Sequence, residues 1–203
     1  MLASARDLFL QHGYPGTTIA GVARRAGVSA DTVYSLFGSK PGLLKEVLDV
    51  VIGGDEEDVP VLERPGPQAV RAEKDQRRQL ELFAAGITDQ LERVRPMDDI
   101  LRSAAAVDPA AAQLRSDLQL RQRRSGMRAV ASWLAANGPL RDGLSEDDAA
   151  AILWTLTSSE VHAMLRDVSG WSRERFEDWL RDTLTASLLP PAPVRRQRRG
   201  TSS

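Results

Sequence analysis

The sequence contains no cysteine, and that absence excludes disulfide frameworks, thiol nucleophiles and thiolate metal sites; it fits a reducing compartment. Aromatic residues make up only 5% of the chain, and there are two histidines, far apart in sequence. HExxH, GxSxG, Walker and dinucleotide-glycine motifs are all missing, so an enzyme has little support and neither a cofactor nor a metal is expected. No run of 18 apolar residues occurs, so no membrane span is expected, and the start MLASARDLFLQHG is too broken by charge to read as a signal peptide. The formal net charge is −1, so no global positive field points to nucleic acid; any such site must be a local surface. Convincing strand alternation is also absent.

What is present is helical periodicity in a chain of 203 residues, 42% of them hydrophobic, enough for one or two packed domains. The predicted fold class is all-α. Leu2, Ala5, Leu8 and Phe9 give a first helix one apolar face, ending near Gly13. Ile19, Val22, Ala23 and Ala26 repeat the pattern, and Gly27 follows where a helix needs positive φ to stop. Ser29 is a good N-cap for a third helix, with Val28 and Val33 at the positions of a hydrophobic staple. Two short helices joined by a glycine turn form a helix-turn-helix, whose second helix can enter the major groove. Ser39 caps a fourth helix carrying Leu44, Val47, Leu48 and Val51, stopped by Gly53-Gly54.

Residues 54–74, with three prolines and an acidic run, are expected to be a partly irregular connection. Residues 75–190 are expected to form a second helical domain. Leu80, Phe83, Ala84, Ile87 and Leu91 share one face, and Pro96 suits the first turn of a further helix. Asp108-Pro109 starts a long helix toward Asn137-Gly138. Ser145 with Glu146, Asp147 and Asp148 opens a helix whose N-terminal part is apolar over most of its circumference, and Ser172 opens the last one, with Phe176, Trp179, Leu180, Leu184 and Leu188 in register. The Pro- and Arg-rich residues 191–203 read as a disordered tail.

Residues 1–53 resemble the N-terminal domain of the TetR (TetR/AcrR-like) family of transcriptional regulators. The matching residues are Phe9, Gly13-Tyr14, Thr17-Thr18, Ala23, Ala26 to Ser29, Thr32 to Tyr34, Phe37 to Lys40 and Leu43-Leu44. The resemblance implies a three-helix DNA-binding head followed by a helical ligand-binding and dimerisation domain. It further implies a cytoplasmic homodimeric repressor that binds a palindromic double-stranded operator and is released by an apolar or amphipathic small molecule. A helical ligand-binding or interaction protein without operator binding is the alternative.

The expected DNA contacts are Thr17, Thr18, Ser29, Ala30, Asp31, Thr32, Tyr34, Ser35 and Lys40. Thr17 and Thr18 start the second helix, where hydroxyls and free N–H groups suit a phosphate; one of them also serves as an N-cap. Asp31 either stabilises the helix dipole or accepts from a cytosine amino group. Lys40 opposes the dipole of its own helix and gains little from the fold, which favours a phosphate ligand. At most one of Arg24 and Arg25 is expected to reach the DNA backbone. Family members usually carry residues, often basic, ahead of the first helix; this sequence begins inside it, so either the arm is absent and fewer phosphate contacts are expected, or the true start lies upstream of Met1.

Residues 149–165 and 176–188 are the candidate dimer surface. Candidate pocket residues are Phe83, Ile87, Met97, Leu101, Met127, Trp133, Trp154 and His162, most of which serve equally well as ordinary core. The run Arg121, Arg123, Arg124 and Arg128 reads as a solvated face rather than an anion site.

Overall fold

A computed structural model of the chain describes residues 1–57 and 59–191; the expected tail lies outside the described residues from position 192 onward. Every regular element among the described residues is helical, and no helix among them is long and apolar enough to cross a membrane.

The head consists of α1 (Leu2–Gly16), α2 (Ile19–Ala26) and α3 (Ala30–Phe37), continued by α4 (Lys40–Gly53). Gly13 leaves the helical region at φ 66°, so α1 kinks where its apolar face ends. Each following helix starts on a hydroxyl cap. The Thr18, Ser29 and Ser39 side chains accept the backbone N–H groups of Gly21, Thr32 and Gly42 at 3.0, 3.0 and 3.1 Å. Gly27, at φ 71° and ψ 32°, provides the left-handed turn between α2 and α3.

The connection is more ordered than its composition suggested. After a 3-10 turn at Val61–Glu63, α5 runs over Pro65–Ala72. Proline at the first helical position loses no intrahelical bond, so Pro65 begins a helix where it had read as a breaker. α6 (Gln76–Ala105) passes through Pro96 without ending, which corrects the expected helix start there. Pro96 lies on the exposed side, open to water, while its neighbours Met97 and Asp98 are buried. Packing on the inner side outweighs the missing backbone bond.

The run starting at Asp108 comprises α7 (Pro109–Ser116), a π-wound segment (Asp117–Arg123) and α8 (Arg124–Asn137). α9 (Glu146–Leu156) begins with a reciprocal capping box between Ser145 and Asp148. It does not continue to residue 165. The chain breaks at Thr157, and Ser158 caps the short α10 (Ser159–Ala163), followed by a second π-wound segment (Met164–Val168). α11 (Arg173–Leu188) closes the bundle.

Two apolar cores result. One holds Phe9, Val22, Val33, Leu44 and Val47 of the head together with Met97, Leu101, Ala104 and Ala111 of α6 and α7. The head therefore shares its core with the second domain. The other core packs Leu80, Ala84 and Leu91 of α6 with Val130, Leu134, Leu153, Phe176, Leu180 and Leu184. The α11 stripe that suggested a subunit interface is therefore spent inside the chain. Of α9, Ala149, Ala150 and Leu153 are buried while Ala151 and Thr155 face outward.

His162, expected in the pocket, is instead part of this second packing layer. It is fully buried, edge-on to Phe176 with ring centroids 4.8 Å apart, and its Nε2 lies 3.1 Å from Glu92 Oε1. Burial holds its pKa below the ordinary value of 6.5, with Glu92 opposing the shift. The unfolded chain thus takes up this proton more readily than the folded one, and stability is lost as pH falls below about 6.5. We expect thermal unfolding to move to lower temperature between pH 7.5 and pH 5.5, and His162→Gln to flatten that dependence; an unchanged slope in the variant would assign the loss to other groups.

Gly42 tests the packing of the head. A β-carbon there would lie 2.1 Å from the Phe37 carbonyl oxygen, a backbone atom with no rotamer to yield. Gly42→Ala should cost about 1–3 kcal/mol, the usual cost of overpacking. Chemical denaturation is the check, and a neutral result would mean α3 and α4 are not packed this closely.

Candidate nucleic-acid interface and internal cavity

The outer face of α3 is open. Asp31, Thr32, Tyr34 and Ser35 are all exposed, while Val33 between them is completely buried. Ala30 is half-buried. Ser29 is exposed but its hydroxyl is engaged, capping Thr32 and lying 2.8 Å from the Thr32 hydroxyl. The same face carries Leu36, 63% exposed, which periodicity did not single out. A large apolar side chain left in water on a recognition helix suits a thymine methyl group.

Thr17 differs from expectation. Its side chain is buried and its hydroxyl donates to the Gly13 carbonyl at 2.8 Å, closing the α1 kink. Only its backbone N–H region remains for an anion, and that N–H already points to Tyr14 O at 3.4 Å. Thr18 is exposed and caps α2. Of the two arginines on α2, Arg25 is held by Asp7 at 3.1 Å, whereas Arg24 is exposed and makes no hydrogen bond within the described residues.

Lys40 also gains more from the fold than its position implied. Its ammonium lies 4.2 Å from the centroid of the Tyr14 ring. Burial lowers its pKa, and the nearby Asp108 carboxylate opposes that shift. Tyr14 donates its hydroxyl hydrogen to Asp108 at 2.5 Å, and Asp108 caps α7 through the N–H groups of Ala110 and Ala111. Burial and the Asp108 charge both push the Tyr14 phenol pKa upward, so it stays a donor. Lys40, in the first turn of α4, is thereby joined to the start of α7.

Behind the head lies a cavity of about 560 Å³. Its walls include Leu48 and Ile52 of α4, Ile87, Leu91, Val94 and Leu101 of α6, and Met127 of α8. Gln90 lines it as well, and its amide donates to Ile52 O at 3.3 Å; beside it Arg93 donates to Val51 O at 3.2 Å. These α6 side chains satisfy the last carbonyls of α4, groups that a helix end leaves free. An adjoining hollow of about 390 Å³ adds Phe83 and Trp133.

Of the residues proposed for a pocket, Ile87, Leu101 and Met127 line the cavity and Phe83 and Trp133 line its neighbour. Met97 is buried in the head core, and His162 is occupied with Glu92 and Phe176. Trp154 does not line the cavity itself but stands behind its wall, its indole donating to Gln119 O at 3.3 Å.

The arginine run divides. Arg121 pairs with Asp117 at 2.7 Å, Arg128 pairs with Asp147 at 3.2 Å, and Arg124 is exposed. Arg123 instead turns inward and lines the cavity, donating from Nη2 to Trp154 O at 2.5 Å and to the Thr157 hydroxyl at 2.8 Å. Burial brings its pKa down to about 10. The signal was present in the spacing: at 100° per residue, Arg123 stands roughly 200° from Arg121, whereas Arg124 and Arg128 fall close to Arg121.

Comparison with known proteins places this geometry. The sequence pattern described as "Bacterial regulatory proteins, tetR family" matches residues 1–47. The chain is 44% identical over 48 residues to the HTH-type transcriptional repressor ComR of Escherichia coli (strain K12), covering 24% of this chain and 23% of ComR. It is 37% identical over 60 residues to the HTH-type transcriptional regulator HbdR of Aromatoleum sp. (strain CIB), covering 30% and 26%. These matches span about a quarter of each relative's length. The fold extends further. The structure of NalD, the secondary repressor of the MexAB-OprM multidrug efflux pump in Pseudomonas aeruginosa, superposes with a TM-score of 0.67 over 94% of this chain and 95% of NalD, at 22% identity. Residues 1–47 thus match the tetR-family pattern in sequence, and the all-helical chain is similar to NalD in fold.

Proposed function

We propose that the protein is a cytoplasmic, homodimeric transcriptional repressor that binds a palindromic operator through α3 and releases it when an amphipathic small molecule fills the cavity. The observation that carries this reading is that one cavity wall belongs to α4: Leu48 and Ile52 line the cavity, and residues of the same helix are buried in the head core. A ligand that presses on α4 acts on the element carrying α3, and two heads in a dimer must hold a fixed spacing to fit both half-sites.

In this reading the exposed residues Asp31, Thr32, Tyr34, Ser35 and Leu36 face bases and phosphates, and Arg24, Thr18 and Lys40 supply backbone contacts. Lys40 would leave or share the Tyr14 ring to reach a phosphate. Residues 1–53 act as the reading head, and the helices from 75 to 190 hold the ligand and the second subunit. The dimer surface falls on the outward parts of α9 to α11, where Met164 is 55% and Val168 84% exposed.

A gel-shift with DNA from upstream of the coding sequence, run across a salt series, should give specific binding that weakens steeply with salt. No binding at low salt would sink the proposal in favour of a ligand-binding protein without an operator. Lys40→Ala should weaken binding evenly across sequences and flatten the salt slope by about one counterion. A change in sequence preference instead would contradict its phosphate role. Light scattering at micromolar concentration should report a dimer.

A further inference from the structure

The cavity is apolar on most of its wall, yet Arg123 stands in it as a charged group that no counter-ion among the described residues contacts. Its hydrogen bonds to protein all leave from Nη2, and both acceptors, a backbone carbonyl and a hydroxyl, are neutral. Among the described residues no hydrogen bond leaves from its Nε or Nη1. Two acids, Asp98 and Glu63, share the cavity wall, and neither forms an ion pair with Arg123 among the described residues. Asp98 pairs with Arg102 at 3.2 Å and accepts from Gln119 at 3.4 Å, and Glu160 pairs with Arg115 at 3.3 Å. Their fields reach Arg123 without contact.

The guanidinium is also held in place. Thr157 is buried and fixed by its own bond to Leu153 O at 2.7 Å, while the Trp154 ring lies 5.7 Å from the guanidinium carbon. The backbone at Arg123 is the end of a π-wound segment, a winding that recurs at ligand sites. A positioned, desolvated guanidinium with a free edge is what planar two-point recognition of a carboxylate requires.

We infer that the cavity takes an apolar molecule bearing one carboxylate, with that carboxylate seated on the free edge of Arg123 and the apolar body against α4 and α6. This rests on the effector reading only in treating the cavity as a ligand site. The ligand anion supplies the counter-charge that the protein withholds. A neutral head leaves Arg123 as it is, and a cationic head adds repulsion in a poorly screened site.

Decanoate, decan-1-ol and decylamine share a chain and differ in head charge. Titrated into the full-length protein by calorimetry at pH 7.5, decanoate should bind at least tenfold more tightly than decan-1-ol, and decylamine most weakly. Arg123→Gln keeps a donor near Thr157; it should lower decanoate affinity about tenfold or more and leave decan-1-ol unchanged. Decan-1-ol or decylamine binding as tightly as decanoate, or no decanoate binding, overturns the inference, and the wild-type comparison decides this even if the variant does not fold. Operator release is scored separately. Decanoate that prefers Arg123 but leaves DNA bound supports the carboxylate site and contradicts the effector reading; failure of all three to bind, with an intact operator complex, counts against the site alone.

Discussion

The structure depends on α4 being buried on two sides. Leu43, Leu44, Val47, Leu48 and Val51 are all essentially inaccessible, so the helix has no free apolar face with which to move independently. One side completes the head against α1 and α3; the other packs against α6. Shared burial makes α4 a lever, because interiors packed at crystal-like density transmit displacement. The cavity bounded by this helix therefore abuts the head without an intervening linker. The α4 C-terminal carbonyls reinforce the coupling, being capped by Gln90 and Arg93 of α6.

A second tie runs along the opposite end of α4. Tyr14 bonds Asp108, the cap of α7, and supports Lys40 on its ring face. The tie is polar and partly exposed, so its contribution is smaller than that of the apolar core. It does connect Lys40, at the start of α4, to the first turn of α7. Any rotation of α7 relative to α1 must lengthen the Tyr14–Asp108 bond or carry Lys40 with it. The setting of the Lys40 charge and the position of α7 against α1 are therefore linked.

The head was legible in the sequence because its signals are local. Ser29, Ser39 and Gly27 occupy the cap and turn positions that their side chains or lack of one dictate, and Val33 falls on the buried face by periodicity alone. The body was less legible because its decisive features are tertiary. Pro96 reads as a boundary until the buried Met97 and Leu101 outweigh it. The α11 stripe reads equally well as core or interface, since burial in one chain and burial between two demand the same residues. Thr17 looked free for phosphate because nothing local reveals the kink at Gly13 that occupies its hydroxyl. Arg123 was hidden by averaging a run of four arginines whose helical phases differ.

The strength of any switch is bounded by how differently a ligand treats the two positions of α4. Moving an equilibrium from 1:99 to 99:1 requires about 5.5 kcal/mol of differential binding, and a ligand that fits both positions equally shifts nothing. Apolar contacts on Leu48 and Ile52 alone change gradually as α4 moves, since a side chain sliding along a hydrocarbon wall loses little. A head group fixed on Arg123 changes that balance. Arg123 is anchored to α9 and Thr157 rather than to α4, so a ligand held there has a fixed origin from which its apolar body measures the position of Leu48 and Ile52. Length and shape of the body then determine whether α4 is tolerated where the operator needs it or displaced. By reciprocity, DNA that holds α4 in place must weaken the same ligand by the same factor.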